Sequence, residues 1–203
     1  MPGLVLHSYR RCPFAIRVRM VLEEKALPYT VVEESLREPS AELLRLHPEG
    51  KVPLLLHGDT VIHESAVITE YLDEAFPASP LMPSDAKARA VVRLWTFWCN
   101  CLFKPDLDAY KYQWEKLGPE EQAALAARLR AHLAKLEEAL AHQAFLLGPE
   151  FTLADIHVFP FLRQFRKARP EVLSHFPPGK IDAWLERIFA RPSFERVMAK
   201  NPK

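Results

Sequence analysis

The first part of the chain alternates short apolar runs with segments of helical periodicity. Four runs rich in β-forming residues predict strands, and they lie at residues 3–7, 29–33, 53–57 and 60–63. Three segments with apolar residues at helical spacing predict helices, and they lie at residues 13–25, 40–47 and 64–76. Strands that alternate with helices in this order indicate a small mixed sheet with helices packed against it.

A proline-rich segment separates this pattern from a second, helical part of the chain. Residues 77–83 hold three prolines, which cannot continue a helix and predict a stiff linker. Strong helix formers and apolar spacing then predict helices at residues 84–115, 119–142, 152–168, 180–190 and 192–199. Thr152 and Asp155 predict a capping box at the start of one of them. The predicted fold class is α/β plus all-α, with domains at residues 1–77 and 84–203.

Composition narrows the possible partners. The chain has 203 residues, 49% of them hydrophobic, and a formal net charge of +1, so neither nucleic acid nor an anionic membrane surface is indicated. The first seven residues hold no basic segment followed by a long apolar run, and no apolar stretch is long enough to span a bilayer. We therefore expect a cytoplasmic protein with no nucleic-acid partner and no membrane partner.

The cysteines indicate free thiols, because an odd number, three, argues against a disulfide framework. Cys12 stands in the run RRCPFA at residues 10–15, at the predicted start of a helix. A helix N-terminus presents unpaired N–H groups and the positive end of the dipole, and Arg10 and Arg11 add positive charge. These features predict a pKa of the Cys12 thiol below the ordinary value. A buried structural cysteine is the simpler alternative.

The neighbours of Cys12 limit its chemistry. Residue 15 is alanine, so no second cysteine stands close enough in sequence to resolve a disulfide formed by Cys12. A mixed disulfide on Cys12 would then be released by an external thiol. Cys99 and Cys101 stand two positions apart, on different sides of a predicted helix, and are interpreted as structural. The histidines show no metal-ligand spacing with cysteine, and we expect no metal.

Two further segments suit the binding of a small ligand. Lys51-Val52-Pro53 leads into a predicted strand, where a cis proline would fix a tight turn with exposed backbone groups. Glu64-Ser65 opens the next helix, where N–H groups and a hydroxyl form an anion site and the carboxylate can pair with an ammonium. Taken alone, each segment is better explained as an ordinary loop proline or an ordinary helix cap.

Taken together, these segments resemble the glutathione transferase family, where they occur in the same order and spacing. The motifs of the resemblance are RCPFA at 11–15, KVP at 51–53, ESA at 64–66, TEYLDEAFP at 69–77 and FTLADI at 151–156. The start at Cys12 is most similar to cysteine-type, omega-like members. The resemblance implies a thioredoxin-like N-terminal domain, a helical C-terminal domain, glutathione as cosubstrate and a homodimer.

The resemblance also implies roles for individual residues. Cys12 would lie against the glutathione sulfur, and Val52 would pair its backbone with the cysteinyl part of glutathione. Glu64 and Ser65 would hold the γ-glutamyl end. The residues implied for glutathione binding are Phe14, Lys51, Val52, Pro53, Glu64, Ser65 and Arg37, the last in place of a family lysine that has no clean equivalent. The residues implied for a second-substrate pocket are Tyr9, Arg11, Trp98 and Tyr110.

Three functions stay open at this point. In a glutathione-dependent thiol transferase or reductase, Cys12 forms a mixed disulfide with glutathione taken from a disulfide or glutathionylated substrate. In a conventional glutathione transferase, the thiolate of glutathione attacks a small electrophile, and Tyr9 or Ser8 donates a hydrogen bond to that thiolate. The third possibility is a non-enzymatic, glutathione-binding regulatory module.

Overall fold

The computed structural model of the chain describes residues 3–169 and 179–199. The parts of the two predicted domains at residues 1–2, 170–178 and 200–203 lie outside the described residues. The chain forms two compact units, one made of residues 1–82 together with 190–203 and the other of residues 83–189. The C-terminal segment thus belongs to the first unit by its contacts, although its sequence continues the helical part of the chain.

The first unit contains a four-stranded mixed sheet with the strand order β2-β1-β3-β4. Its strands are β1 (Leu4–Ser8), β2 (Tyr29–Glu33), β3 (Leu54–His57) and β4 (Thr60–His63). Strand β1 pairs in parallel with β2 and antiparallel with β3, and β3 pairs antiparallel with β4. The predicted mixed sheet is therefore confirmed.

Helix α1 (Pro13–Glu24) belongs to the first unit and is largely buried in it. Pro13 suits its first position, because proline has a fixed φ and its missing N–H would be unpaired there. Every residue from 15 to 22 is buried. The other helices of this unit are α2 (Ala41–Leu46), α3 (Ser65–Ala75) and α9 (Pro192–Met198). Helix α1 packs against α3 and α9.

The second unit is helical. Its α-helices are α4 (Ala86–Phe97), α5 (Lys104–Tyr112), α6 (Pro119–Ala139), α7 (Leu153–Ala168) and α8 (Lys180–Phe189). The predicted helix over 84–115 is interrupted, because Trp98–Phe103 is π-helical and Trp114–Lys116 is a short 3₁₀ turn. Helix α7 lies at the centre of the unit and packs against α4, α5 and α8. The α/β plus all-α fold class is confirmed.

A buried carboxylate organises the start of α7. Asp155 is fully buried, and its Oδ2 accepts hydrogen bonds from the Thr152 N–H at 3.0 Å and the Thr152 hydroxyl at 3.1 Å. Its Oδ1 accepts from the Leu146 N–H and from the Trp184 indole N–H, both at 2.9 Å. Burial raises the pKa of the Asp155 carboxyl, against the effect of these donors. One side chain therefore joins the loop before α7, its first turn and α8.

The predicted linker at residues 77–83 is attached to the first unit by a buried ion pair. Lys25 Nζ lies 2.8 Å from Asp73 Oδ1 and donates to the carbonyl oxygens of residues 78–79 at 2.9 and 3.1 Å. The Asp73 carboxylate also accepts from the N–H groups of residues 81–82 at 2.8 and 3.0 Å. The path of the linker is therefore fixed by two side chains from α1 and α3 rather than by its prolines alone.

Replacing Lys25 with methionine should lower the free energy of unfolding by about 3 kcal/mol, because it leaves the buried Asp73 carboxylate without its cation. The measurement is urea denaturation followed by circular dichroism. Lys51→Met provides the matched control, since the ion pair of Lys51 with Glu49 is exposed on both sides. An equal change in the two variants would contradict a stabilising role for the buried pair.

Candidate active site

Cys12 lies at the N-terminal end of α1, directly after the turn that follows β1. Its N–H donates to the Tyr9 carbonyl at 2.9 Å, and its own carbonyl accepts from the Ile16 N–H at 2.9 Å. The thiol is half-buried and does not cap the helix. Its Sγ lies 3.9 Å from the carbonyl oxygen of Val52. The thiol therefore faces the turn that precedes β3.

Burial raises the pKa of the Cys12 thiol above its ordinary value. The N–H groups of residues 14–15 and the charges of Arg19 and Arg17 act in the opposite direction, but the loss of water outweighs them. The predicted lowering of this pKa was therefore wrong in direction. The sequence shows the helix end and the nearby charge, whereas the desolvation of the thiol arises only from tertiary packing.

The two arginines that precede Cys12 in sequence are engaged elsewhere. Arg11 is exposed and donates from Nε and Nη2 to the Tyr9 hydroxyl at 2.9 and 2.5 Å, with its guanidinium 5.5 Å from the ring centroid. Arg10 donates from Nη1 to the Met198 carbonyl at 3.4 Å. The structure thus brings Tyr9 and Arg11 together, at the turn before Cys12.

The alkylation of Cys12 by iodoacetamide should rise with pH to a midpoint above that of a cysteine in an unstructured peptide. The reason is that a raised pKa keeps the thiol protonated at neutral pH, and only the thiolate reacts. Peptide mapping by mass spectrometry at a series of pH values separates Cys12 from the exposed Cys101. A midpoint below that of the peptide would contradict the role of burial.

The turn before β3 places Val52 beside the thiol. The Val52–Pro53 peptide bond is cis, as the resemblance implies. Gly50 has a φ of +57°, in the left-handed region, and a Cβ there would lie 3.0 Å from the Leu44 side chain. Lys51 is exposed and pairs with Glu49. Glycine is thus strongly favoured where this turn approaches α2.

Glu64 and Ser65 lie where β4 ends and α3 begins. Glu64 has a φ of +67°, which is strained for a residue with a side chain, and its carboxylate does not cap the helix. Ser65 is buried, and its Oγ accepts a hydrogen bond from Arg17 Nη1 at 3.2 Å. Strained backbone of this kind is concentrated at ligand-binding and active sites.

Arg17 connects the two helix starts. Its side chain is fully buried, and its guanidinium lies 5.2 Å from the centroid of the Phe14 ring while it also bonds Ser65. Phe14 is two residues from Cys12, so one cation joins the surroundings of the thiol to the N-terminus of α3. Sequence reasoning missed Arg17, because an arginine in an amphipathic helix ordinarily faces water.

Arg37 lies in the loop between β2 and α2. The loop is anchored by the buried Glu34, whose Oε1 lies 2.7 Å from His7 Nδ1 and whose carboxylate accepts from the Ser40 N–H at 3.0 Å and hydroxyl at 2.7 Å. Arg37 itself is exposed and makes no hydrogen bond or ion pair with another described residue. The structure therefore offers no contact that assigns Arg37 a role.

The two aromatic residues predicted for a second-substrate pocket lie inside the helical unit. Trp98 is 5% exposed and stacks on Phe103 with 5.3 Å between ring centroids. Tyr110 is fully buried, and its hydroxyl donates to the Arg169 carbonyl at 3.2 Å. These rings serve the packing of the unit, and the structure gives their predicted substrate role no support.

Three findings concern other kinds of site. No three or more histidine, cysteine, aspartate or glutamate side chains are grouped as a metal site among the described residues. Within residues 3–169 and 179–199, no helix has the length and apolar character needed to cross a bilayer. The cysteines are free thiols, with Cys99 buried and Cys101 exposed.

Comparison with known proteins relates both parts of the chain to one family. The family models for the glutathione S-transferase N-terminal and C-terminal domains match residues 6–80 and 119–195. Glutathione S-transferase 3 of Zea mays is 32% identical and covers 100% of this chain and 96% of its own length. A stringent starvation protein A homolog of Histophilus somni is 30% identical over 92% of this chain and 86% of its own.

Solved structures share the fold. A tau class glutathione S-transferase from mango superposes with a TM-score of 0.85 at 27% identity, over 98% of this chain and 93% of its own. Glutathione transferase Omega 3C from Trametes versicolor superposes with a TM-score of 0.84 at 26% identity, over 100% of this chain and 91% of its own. A Burkholderia graminis glutathione transferase was solved with two glutathione molecules bound per subunit. It superposes with a TM-score of 0.81 at 25% identity, over 97% of this chain and 87% of its own. The tau and omega structures thus superpose about equally well, and the comparison does not assign the chain to the omega class.

Proposed function

Because the chain belongs to the glutathione S-transferase family, we propose that this enzyme uses glutathione as its cosubstrate and acts as a glutathione-dependent thiol transferase through Cys12. The observation that carries the proposal is the position of the thiol. Cys12 Sγ lies at the start of α1 and faces the Val52 carbonyl at 3.9 Å. If the backbone of glutathione pairs with the turn at Val52, its thiol comes next to Cys12.

The start of α3 supports the binding of the γ-glutamyl end of glutathione. The first N–H groups of a helix lack partners within it, and they attract a carboxylate together with the helix dipole. Ser65 adds a hydroxyl, and the buried guanidinium of Arg17 behind it adds positive charge. The Glu64 carboxylate supplies the partner for the ammonium. Val52 supplies main-chain groups for the cysteinyl part.

The reaction proceeds by two thiol–disulfide exchanges. The Cys12 thiol loses its proton, and its sulfur attacks the glutathione sulfur of a glutathionylated substrate. The substrate S–S bond breaks, and the substrate thiolate leaves and takes up a proton. The thiolate of a second glutathione then attacks the same glutathione sulfur, releasing oxidised glutathione and the Cys12 thiolate. With alanine at residue 15, this external thiol is the resolving group.

The raised pKa of Cys12 favours conjugation as a second candidate function. A thiol that stays protonated at neutral pH can donate a hydrogen bond to the thiolate of bound glutathione, which then attacks a small electrophile. Tyr9 is the other candidate donor, since its hydroxyl accepts from Arg11 and donates to no described residue. Ser8 is fully buried at the end of β1, which does not suit it to this role.

Trapping with oxidised glutathione tests the proposed thiol transfer. We expect one glutathione adduct per chain, located at Cys12 by peptide mapping and removed by reduced glutathione. Cys101→Ser is the matched control and should keep the adduct, because Cys101 is an exposed thiol on a different helical segment. An adduct confined to Cys101, in a protein whose Cys12 still alkylates, would contradict the proposal.

We also propose a cytoplasmic homodimer that uses the exposed apolar face of α4 and the π-helical segment. Leu94, Phe97 and Leu102 are 63%, 56% and 49% exposed there, and an apolar patch of this kind marks a protein contact. Phe97→Glu should convert the dimer to monomer in light scattering, whereas Glu137→Gln should not. A monomeric parent protein would contradict this surface as a dimer interface.

A further inference from the structure

Helix α9 packs along α1 and is tied to its C-terminal end by ion pairs. Arg191 donates from Nε and Nη2 to the two oxygens of Glu24, both at 2.7 Å. The Ser193 hydroxyl donates to the same carboxylate. Arg196 donates from Nε to Glu23 at 2.5 Å. The last two residues of α1 thus anchor a segment that is distant in sequence.

The middle of α1 and the turn before it are tied to α9 through two guanidinium groups. Arg19 is 5% exposed, and it donates from Nη1 to the Val197 carbonyl at 3.1 Å and from Nη2 to the Arg10 carbonyl at 2.5 Å. Arg10 donates from Nη1 to the Met198 carbonyl at 3.4 Å. Carbonyl groups at a helix C-terminus carry partial negative charge, which suits these cations. The end of α9 is therefore joined to the turn before Cys12.

Burial lowers the pKa of the Arg19 guanidinium, with Arg10 acting in the same direction and Tyr29, Glu33 and Cys12 acting in the opposite direction. Among the described residues Arg19 forms no ion pair, and its Nε is buried without a hydrogen-bond partner. A buried cation without a counter-ion is costly to stability. Its positive charge also acts on Cys12, where Arg19 and Arg17 both favour the thiolate. The other groups that favour it there are the N–H groups of residues 14–15.

We propose that Arg19 is a positioning residue for Cys12. Held by the C-terminal end of α9, it fixes the Arg10 carbonyl in the turn before Cys12 and places a buried positive charge near the thiol. The inference rests on the proposed function in that Cys12 is the reacting thiol. It concerns the protonation of that thiol, and therefore holds for either candidate reaction.

The pH profile of Cys12 alkylation in the unliganded full chain tests this inference. Arg19→Met should move the midpoint to higher pH and slow alkylation at pH 7.5, by about tenfold for each unit of pKa. Arg19→Lys should restore most of the rate, because it restores the charge. If Arg19→Met does not fold, Arg19→Gln takes its place, since it removes the charge but keeps a donor for one carbonyl.

Arg191→Gln is the matched control, because it loosens α9 at the end remote from Cys12. It should lower the melting temperature while leaving the alkylation profile unchanged. A wild-type profile in the charge-removing variant, or an equal shift in Arg191→Gln, would overturn the inference. Retention of thiol transfer by Cys12→Ser would instead remove the proposed function, and the alkylation profile would still decide the role of Arg19.

Discussion

Cys12→Ser should lose glutathione-dependent thiol transfer almost completely, by a factor on the order of a thousand, because it removes the atom that forms the covalent intermediate. Serine keeps a hydrogen-bond donor of similar size at the start of α1, and oxygen cannot form a mixed disulfide. The side chain is only half-buried and makes no helix cap, so the substitution should leave stability little changed.

Two assays run in parallel are needed to interpret the effect of Cys12→Ser. The first follows the reduction of a small glutathione mixed disulfide, and the second follows conjugation of glutathione to an activated aryl halide. Loss of the first with retention or gain of the second supports Cys12 as the nucleophile. Retention of both would assign the chemistry to the thiolate of glutathione. Glutathione binding by the wild type without turnover in either assay would favour a regulatory module.

Cys12→Ala separates the two roles that a thiol can have. Like serine it cannot form a mixed disulfide, but it also lacks a donor for the thiolate of bound glutathione. We therefore expect conjugation to fall in Cys12→Ala relative to Cys12→Ser if the neutral thiol serves as a donor. Equal conjugation in the two variants would leave Tyr9 as the candidate donor, and Tyr9→Phe would then test it.

Asp155→Ala should lower the free energy of unfolding of the helical unit by about 4 kcal/mol, since buried donors on three segments lose their shared acceptor. The Thr152 N–H, the Leu146 N–H and the Trp184 indole N–H would stay inside the unit without a partner. Urea denaturation followed by tryptophan fluorescence reports on the helical unit, because all four tryptophans of the chain belong to it.

The control for Asp155 is an aspartate with an ordinary capping role. Asp85 accepts a hydrogen bond from the Ala88 N–H at 2.8 Å at the exposed start of α4. Asp85→Ala should cost about 1 kcal/mol, the usual value of a helix cap. The loss of unfolding free energy in Asp155→Asn should lie between those of Asp85→Ala and Asp155→Ala, because an amide keeps one accepting oxygen. Similar losses in Asp85→Ala and Asp155→Ala would contradict the joining role of the buried carboxylate.

The elements of the first unit were predictable because their signals are local. The turn at Gly58 and Asp59 separates two β-forming runs, and β4 begins and ends where the pattern predicts, at Thr60 and His63. The π-helical turn at Trp98–Phe103 was not predictable, because the apolar residues there are also compatible with a regular helix. Helix α9 was predicted correctly, but its contacts with α1 join parts of the chain far apart in sequence.

The site was predictable in its residue types and not in its electrostatics. The positions of Cys12, Val52 and Ser65 follow from motifs that are each a few residues long. The protonation of the thiol depends on how much water the fold removes from it and on which arginines the fold buries. Arg17 and Arg19 are separated from the thiol by one and two turns of α1, and their burial arises from α3 and α9.

The position of α9 has a consequence for the synthesis of the protein. Residues 192–198 leave the ribosome after every other helix and strand described above, whereas domains generally fold from the N-terminal side as they emerge. The sheet can form early, yet α1 keeps an uncovered flank, with Arg19 and Glu24 lacking their partners, until α9 has emerged. A chain that ends before Arg191 would contain every motif of the site without the contacts that complete its surroundings.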